Sequence, residues 1–188
     1  MSLLNVFGPK DGSYSGKDSY RHVERILKAE RNLMIVSPYI DVHYARYLLR
    51  HSRGKRIRII SSSMQPAAYR KLKGRDVGPA VTFTVMAAAF DLAFFLLGMP
   101  VVAFALVSSA IAAVFLALSL RGNRSISLKV PRDFVHAKMY IGDSAAAEGS
   151  ANLTYAGMHK NVEHMDVTYD RKRIADLKRQ FQALWDSA

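Results

Sequence analysis

Short apolar runs alternate with segments of helical spacing over most of the chain. Residues 32–39 and 56–60 are apolar, short and rich in branched side chains, which predicts two buried strands. Between them, residues 42–49 carry apolar side chains every third or fourth position, which predicts a helix. A strand, a helix and a strand in this order are typical of an α/β domain.

The same patterns extend over the remainder of the chain. Helical spacing follows Asp18 and again Asp170, a residue type that caps helices, and a short helix is predicted over 65–73. Further strands are predicted at 126–130, 135–141, 145–148 and 163–169. A turn at Gly142-Asp143 would pair two of these strands directly. We therefore predict the α/β fold class, with a mixed β-sheet flanked by helices.

One long stretch breaks the alternation. Residues 79–120 contain a single charged residue, Asp91, and two apolar runs at 81–97 and 101–120. About 20 helical residues at ~1.5 Å each match a bilayer core of ~30 Å. The sequence thus predicts a transmembrane helical hairpin at 79–120, inserted into one catalytic domain formed by 1–78 and 121–188. A hairpin buried in the core is the alternative, but a domain this small could hardly cover it.

Charge separates the two predicted parts. The chain has 27 Lys and Arg against 15 Asp and Glu, a net charge of +12. All the basic residues lie outside 79–120, so the rest of the chain carries +13. Basic residues flank both ends of the apolar stretch, and the positive-inside rule then predicts two spans with the catalytic domain and both termini in the cytoplasm. The surplus charge favours an anionic partner, either nucleic acid or anionic phospholipid.

Residues whose side chains can bind or attack a phosphodiester cluster between 136 and 163. His136 and Lys138 are two positions apart on a predicted strand and so share one face. Ser150 and Asn152 end the next strand in the same way, and the intervening turn would bring both pairs to one sheet edge. This set of groups suits a phosphodiester: an imidazole, an ammonium, a hydroxyl and an amide. One of them can attack phosphorus, and the other three can hold the anionic oxygens.

Glu163 begins the following predicted strand, so its carboxylate could reach the same edge. A carboxylate bound to one imidazole nitrogen fixes the tautomer and makes the other nitrogen the better nucleophile. The sequence around His136 has no cluster of carboxylates or histidines with metal-ligand spacing, and no cysteine. We therefore expect activity that does not depend on a metal.

Read in order, the motif is His136-x-Lys138-x4-Asp143-x5-Gly149-Ser150-x-Asn152, followed by Asn161-x-Glu163. This motif resembles the HKD signature of the phospholipase D superfamily. The opening of the chain is also similar to that family, at Phe7-Gly8-Pro9, Ser37-Pro38-Tyr39-Ile40-Asp41 and Arg56-Ile57-Arg58-Ile59-Ile60. The resemblance covers about residues 5 to 185 apart from the apolar stretch.

The resemblance implies a reaction through a phosphohistidine formed on His136, without metal or organic cofactor. It implies catalytic roles for His136, Lys138 and Glu163, phosphate binding by Lys138, Ser150 and Asn152, and motif or structural roles for Asp143, Gly149 and Asn161. In this family two histidines cooperate, one as nucleophile and one as acid and base. The chain has no second His-x-Lys pair, so we expect a homodimer that shares one active site.

Three functions fit this motif: a membrane-anchored nuclease, a phospholipase or phosphatidyl-transferase, and a silent membrane scaffold. The complete motif argues against the scaffold. The basic domain, the short single-motif form and an expected groove facing away from the hairpin favour a nuclease. The same charge and a membrane hairpin would also suit a lipid substrate, so phospholipid stays the alternative.

Overall fold

A seven-stranded mixed sheet organises the larger of two compact units. The computed structural model describes residues 10–74, 78–97, 108–114 and 125–188. The first unit comprises the described residues up to Leu72 and from Ser125 onward, and the second those between Lys73 and Arg124. The assignment of a catalytic role to one part and an inserted role to the other stays a prediction.

The strands of the first unit are short, and most of them follow the apolar runs. They are β1 (Gly12–Gly16), β2 (Asn32–Val36), β3 (Tyr39–Ile40), β4 (Arg56–Ile60), β5 (Ser63–Met64), β6 (Ile126–Lys129), β7 (Met139–Ile141), β8 (Ala146–Gly149) and β9 (Glu163–Thr168). The sheet order is β1-β9-β8-β7-β2-β4-β6, while β3 and β5 form a separate parallel pair.

Two pairing modes meet at β2. This strand pairs in parallel with β4, and β4 in parallel with β6. On its other side β2 pairs antiparallel with β7, and antiparallel pairing continues through β8 and β9 to β1. Parallel β2 and β4 are joined through a helix, and antiparallel β7 and β8 by a turn, as connection length requires. The predicted α/β class and mixed sheet are confirmed.

Helices cover both faces of this sheet. The first unit contains α1 (Tyr20–Ala29), α2 (Val42–Arg50), α3 (Pro66–Lys73) up to Leu72, α6 (Tyr155–His159) and α7 (Arg171–Ser187). Side chains alternate along β2, so Leu33 and Ile35 pack with α1 and α2 while Val36 packs with α7. The core therefore consists of two apolar layers separated by the sheet.

Local chemistry explains where two helices begin. Asp170 caps α7 as predicted, since its carboxylate accepts hydrogen bonds from the backbone N–H groups of Lys172 and Arg173 at 3.1 and 3.2 Å. Asp18 does not cap α1, and that prediction is wrong. The N-cap is Ser19, and the exposed carboxylate of Asp18 instead pairs with Arg21 at 3.2 Å.

The sequence patterns missed β1. This strand is Gly-Ser-Tyr-Ser-Gly, which has one large side chain and no apolar alternation. It forms because β9 offers a free edge, with Gly12 opposite Val167 and Gly16 opposite Glu163. Backbone pairing at a sheet edge thus overrides a weak intrinsic strand propensity.

The second unit contains the apolar stretch. Its described residues form α4 (Gly78–Leu96) and a helical segment at 108–114, α5. The hydroxyl of Ser108 donates a 2.7 Å hydrogen bond to Asp91, so this carboxylate has a partner within the unit. The remaining parts of the second apolar run, 101–107 and 115–120, lie outside the described residues.

The predicted membrane location is wrong. Within the ranges that the structure describes, no helix combines the length and the apolarity needed to cross a bilayer. The prediction rested on the hydropathy of the two runs and on the basic residues that flank them, and it gave two spans and an orientation that the described helices do not support.

A tight contact between β8 and β9 gives a testable prediction for stability. A Cβ atom at Gly149 would overlap the backbone carbonyl oxygen of His164, which cannot move without breaking the strand pair. We expect Gly149→Ala to lower the free energy of unfolding by about 1–3 kcal/mol. Urea denaturation measures this effect.

The matched control is Gly12→Ala in β1. There the three atoms nearest the new methyl group belong to the hydroxyl end of the Tyr14 side chain, which can shift more readily than backbone, so we expect a loss below about 1 kcal/mol. Equal stability of the two variants would contradict a close strand approach at Gly149.

Candidate active site

The five residues proposed from the motif as catalytic or phosphate-binding lie at one edge of the sheet. His136 and Lys138 immediately precede β7, whose first residue, Met139, is opposite Val36 at the end of β2. Ser150 and Asn152 follow the end of β8, and Glu163 is the first residue of β9. Alternating strand directions thus bring two strand starts and one strand end together.

His136 and Lys138 are in direct contact. The Lys138 Nζ atom lies 3.1 Å from each ring nitrogen of His136 and donates a 2.8 Å hydrogen bond to the His136 carbonyl oxygen. An ammonium has only donors, and a neutral imidazole has one acceptor nitrogen, so the tautomer of His136 decides which ring nitrogen can accept. Such a nitrogen carries the lone pair that a nucleophile needs.

Lys138 is a buried cation at this exposed edge. Only 7% of the residue is accessible to solvent, whereas His136 is exposed. Burial lowers the pKa of the Lys138 ammonium below its ordinary value of 10.5, and the nearby negative charge of Glu163 partly offsets that effect. A poorly solvated ammonium is available to an anionic ligand, because little water has to be displaced from it.

Glu163 is held in place from two sides. The Ser150 hydroxyl donates to one carboxylate oxygen, and the Asn161 amide donates to the other at 3.0 Å. The backbone N–H of His164 donates to the Ser150 hydroxyl at 2.9 Å, which fixes that hydroxyl in turn. Within the described part of this single chain, Glu163 makes no hydrogen bond to His136. Orientation of the imidazole by Glu163 therefore stays a prediction.

Asn152 carries an unsatisfied polar atom. Its Oδ1 is buried and has no hydrogen-bond partner among the described residues. Buried polar atoms usually have a partner, so this acceptor is open to a donor from water or from a ligand. The loop around Asn152 is well anchored, since the buried Ser37 hydroxyl accepts the Leu153 N–H and Tyr140 donates to the Ala151 carbonyl.

Asp143 lies away from this group, beyond the opposite end of β7. Its carboxylate accepts hydrogen bonds from the backbone and side-chain N–H groups of Asn32 at 3.0–3.2 Å and approaches Lys178 at 3.7 Å. Its own N–H donates to Glu30 at 2.8 Å. These contacts fasten the β7–β8 turn to β2 and α7, which fits the structural role expected of Asp143.

The segment before β7 differs from the expected strand. Strand pairing was predicted from residue 135, but β7 begins only at Met139. The backbone of Val135 is held by a side chain instead of by strand pairing. The hydroxyl of Ser62, which follows β4, accepts the Val135 N–H at 2.8 Å and lies 3.2 Å from the Val135 carbonyl. The period of two is kept, because Val135, Ala137 and Met139 all pack toward α7.

Sequence reasoning missed two aromatic residues at this edge. Phe134 and Tyr39 have ring centroids 5.9 Å apart, and the Phe134 ring lies 6.2 Å from the His136 ring. Phe134 precedes His136 by two positions, the same spacing that relates His136 to Lys138. Extending the period of two backward by one step would have found Phe134, but no sequence signal links it to Tyr39.

The described residues contain no group of three histidine or carboxylate side chains suited to a metal ion. The arrangement instead gathers an imidazole acceptor, a buried ammonium, an amide and a fixed carboxylate around one exposed edge. These groups can bind an anionic phosphodiester and attack its phosphorus.

Comparison with known proteins places the chain among phosphodiesterases of the phospholipase D type. Residues 22–185 match the family described as "Cardiolipin synthase, PLD-like domain". The chain therefore belongs to this family of the phospholipase D superfamily, whose members are phosphodiesterases. No curated protein matches the sequence significantly.

Solved structures share the fold at low sequence identity. Nuc from Salmonella typhimurium, a phospholipase D family member, superposes with a TM-score of 0.54 at 17% identity, covering 95% of this chain and 96% of that one. NucT from Helicobacter pylori gives 0.55 at 14% identity, with the same coverage. Phosphatidylserine synthase from Haemophilus influenzae Rd KW20 gives 0.50 at 14% identity, covering 93% of this chain and 37% of the synthase.

The electrostatic link between Glu163 and Lys138 gives a second prediction. A negative charge near an ammonium favours its protonated form, so removal of that charge should lower the pKa further. We expect Glu163→Gln to move the pKa of Lys138 still farther below 10.5. The pH titration of the lysine side-chain NMR signals measures it.

Lys55 is the matched control in the same spectra. Burial also lowers the pKa of Lys55, but the carboxylate near it is Glu30. Its pKa should therefore be the same in the two proteins. An unchanged or raised pKa of Lys138 in Glu163→Gln would show that Glu163 does not stabilise this ammonium.

Proposed function

We propose that this protein cleaves nucleic-acid phosphodiester bonds through a covalent intermediate on His136. The contact between the His136 ring and the buried Lys138 ammonium carries the proposal. It joins a nucleophile to a phosphate-binding cation at the edge where Asn152 and Glu163 also lie. The roles proposed for these residues follow from their chemistry and from the motif.

Two displacements at phosphorus would complete the reaction. The unprotonated His136 nitrogen attacks, an N–P bond forms, and the bond from phosphorus to the leaving oxygen breaks as that oxygen takes a proton from an acid. Water then attacks the phosphohistidine, gives up a proton to the same group, and releases His136. Lys138 and Asn152 hold the non-bridging oxygens, whose charge grows in both transition states.

The acid and base in this scheme is a second histidine. We propose that it is the His136 of another copy, in a two-fold homodimer with one shared site. Exposure of His136 at the sheet edge supports this arrangement, because an exposed ring can face its symmetry mate. The proposal also explains why one His-x-Lys motif per chain is enough.

Charge and size favour nucleic acid as the substrate. The net charge of +12 suits a polyanion that contacts the protein over many phosphates. The superposition spans 96% of the phospholipase D-type nucleases Nuc and NucT, so a domain of this size can hold the whole nuclease architecture.

Phosphatidyl transfer or phospholipid hydrolysis is the second candidate. The matched family bears the description of a cardiolipin synthase domain, and one structural neighbour is a phosphatidylserine synthase. The superposition covers only 37% of that synthase. This lower coverage is why we rank lipid second.

A substrate panel tests both candidates. Purified protein is assayed on single-stranded DNA, RNA and phosphatidylglycerol vesicles, each with and without excess EDTA. We expect cleavage of nucleic acid that survives EDTA, and a rate at least ~10³-fold lower in His136→Ala because the covalent route is lost. Activity on lipid alone would support the second candidate, and a strict metal requirement would contradict the proposed chemistry.

His51→Ala is the matched control for that panel. His51 ends α2, and its ring contacts the Tyr47 carbonyl oxygen at 2.9 Å. It shares the residue type with His136 but none of the contacts at the active-site edge. The rate of His51→Ala should therefore stay close to that of the unaltered protein.

Mixed dimers test the shared site. Unaltered and His136→Ala chains are mixed in varying ratio under conditions where differently tagged subunits are seen to exchange. A heterodimer holds one histidine and should be nearly inactive, so activity should fall as the square of the unaltered fraction. A linear fall would show that each chain works alone. Mixing with His51→Ala chains should leave activity unchanged.

A further inference from the structure

An exposed pair of aromatic rings lies beside the proposed nucleophile. Phe134 is 55% exposed and Tyr39 is 43% exposed, and the two rings lie next to each other, so together they form an exposed apolar patch. Their ring centroids are 5.9 Å apart with the planes inclined by 54°. Nothing in the reaction at phosphorus needs an aromatic ring, so this aromatic pair has no role in the scheme above.

The fold holds the Phe134 ring in a fixed relation to His136. In extended chain, residues two apart project to the same side, and the Phe134 and His136 rings are 6.2 Å apart with their planes inclined by 32°. Val135 lies between them. Its backbone N–H and carbonyl both form hydrogen bonds with the Ser62 hydroxyl, and its side chain packs toward α7. The segment therefore cannot rotate to bury Phe134 without moving His136.

We propose that Tyr39 and Phe134 form a stacking platform for a nucleobase next to the scissile phosphate, so that the site selects single-stranded nucleic acid. This inference rests on the proposed nuclease function and extends it to the form of the substrate. The faces of bases are available to aromatic side chains only in unpaired strands, because a duplex stacks them on one another. A ring this close to His136 can reach a base whose own phosphate lies at the imidazole.

The surroundings of the platform suit a continuing strand. A cavity of about 480 Å³ is lined by Ser62, Val130 and Arg70, among others. Ser62 also accepts the hydrogen bond from the Val135 N–H, so this cavity adjoins the segment that carries Phe134. An arginine in such a cavity can pair with the next phosphate of a bound strand. Sites that bind single-stranded nucleic acid usually combine basic side chains with exposed aromatic rings.

A single-stranded oligonucleotide containing 2-aminopurine tests the platform. The fluorescence of this base analogue falls when it stacks on an aromatic ring. Binding is measured in a His136→Asn background, so that the strand is not cut. We expect quenching on binding, and Phe134→Leu and Tyr39→Leu should each weaken binding about 5- to 100-fold and reduce the quenching.

Two matched variants separate stacking from simple apolar contact. Leucine keeps an apolar side chain at position 134 but has no ring face, whereas Phe134→Trp keeps a face and should bind within about twofold of the parent. Tyr169→Leu makes the same aromatic-to-leucine change just after the far end of β9 and should leave binding unaltered. A duplex of the same sequence should bind equally well to the parent and to Phe134→Leu.

Several results would overturn the inference. These are unchanged affinity and quenching in Phe134→Leu, an equal loss of affinity for the duplex, and binding to phosphatidylglycerol vesicles but not to the oligonucleotide. Failure of the nuclease function itself is seen separately. In that case the unaltered protein would cleave DNA and RNA no faster than His136→Ala, whatever the Phe134 variants bind.

Discussion

The register of three antiparallel strands, β7, β8 and β9, is the constraint on which the candidate site depends. Met139 lies opposite Glu148, and Gly149 opposite Met165. This register puts the residues before β7, after β8 and at the start of β9 on one edge. A shift by one residue would send His136 and Lys138 to the opposite face of the sheet. Gly149 makes the register possible, because a side chain there would strike the backbone of β9.

Around this edge, each polar group is held by another. Lys138 is buried against the His136 carbonyl and near the charge of Glu163, and Glu163 is fixed by Ser150 and Asn161. Networks of this kind are rigid, and they present charge to a ligand without first having to reorganise. The contrast with Asp143 is clear, since its contacts at the far end of β7 serve the turn and the sheet.

Strong local patterns predicted much of this fold. Strand β4 has the predicted bounds 56–60, and Asp170 caps α7 as expected. Weak or misleading patterns failed for identifiable reasons. Strand β1 has no apolar alternation and exists only because β9 offers a partner. The apolar stretch at 79–120 was predicted to cross a membrane from hydropathy alone, and no helix among the described residues can do so.

The sequence by itself determined the family, through the HKD-like motif. It also gave the spacing of two that pairs His136 with Lys138, and the order of strands that brings these residues to Ser150 and Glu163. Local periodicity and residue type carry that information, because they depend on neighbours along the chain. Only the tertiary structure decided that Glu163 contacts Ser150 and Asn161 rather than His136, and that Tyr39 meets Phe134. The Tyr39–Phe134 contact joins residues far apart in sequence, and strand pairing brings Ser150 to Glu163, so packing rather than local pattern sets these distances.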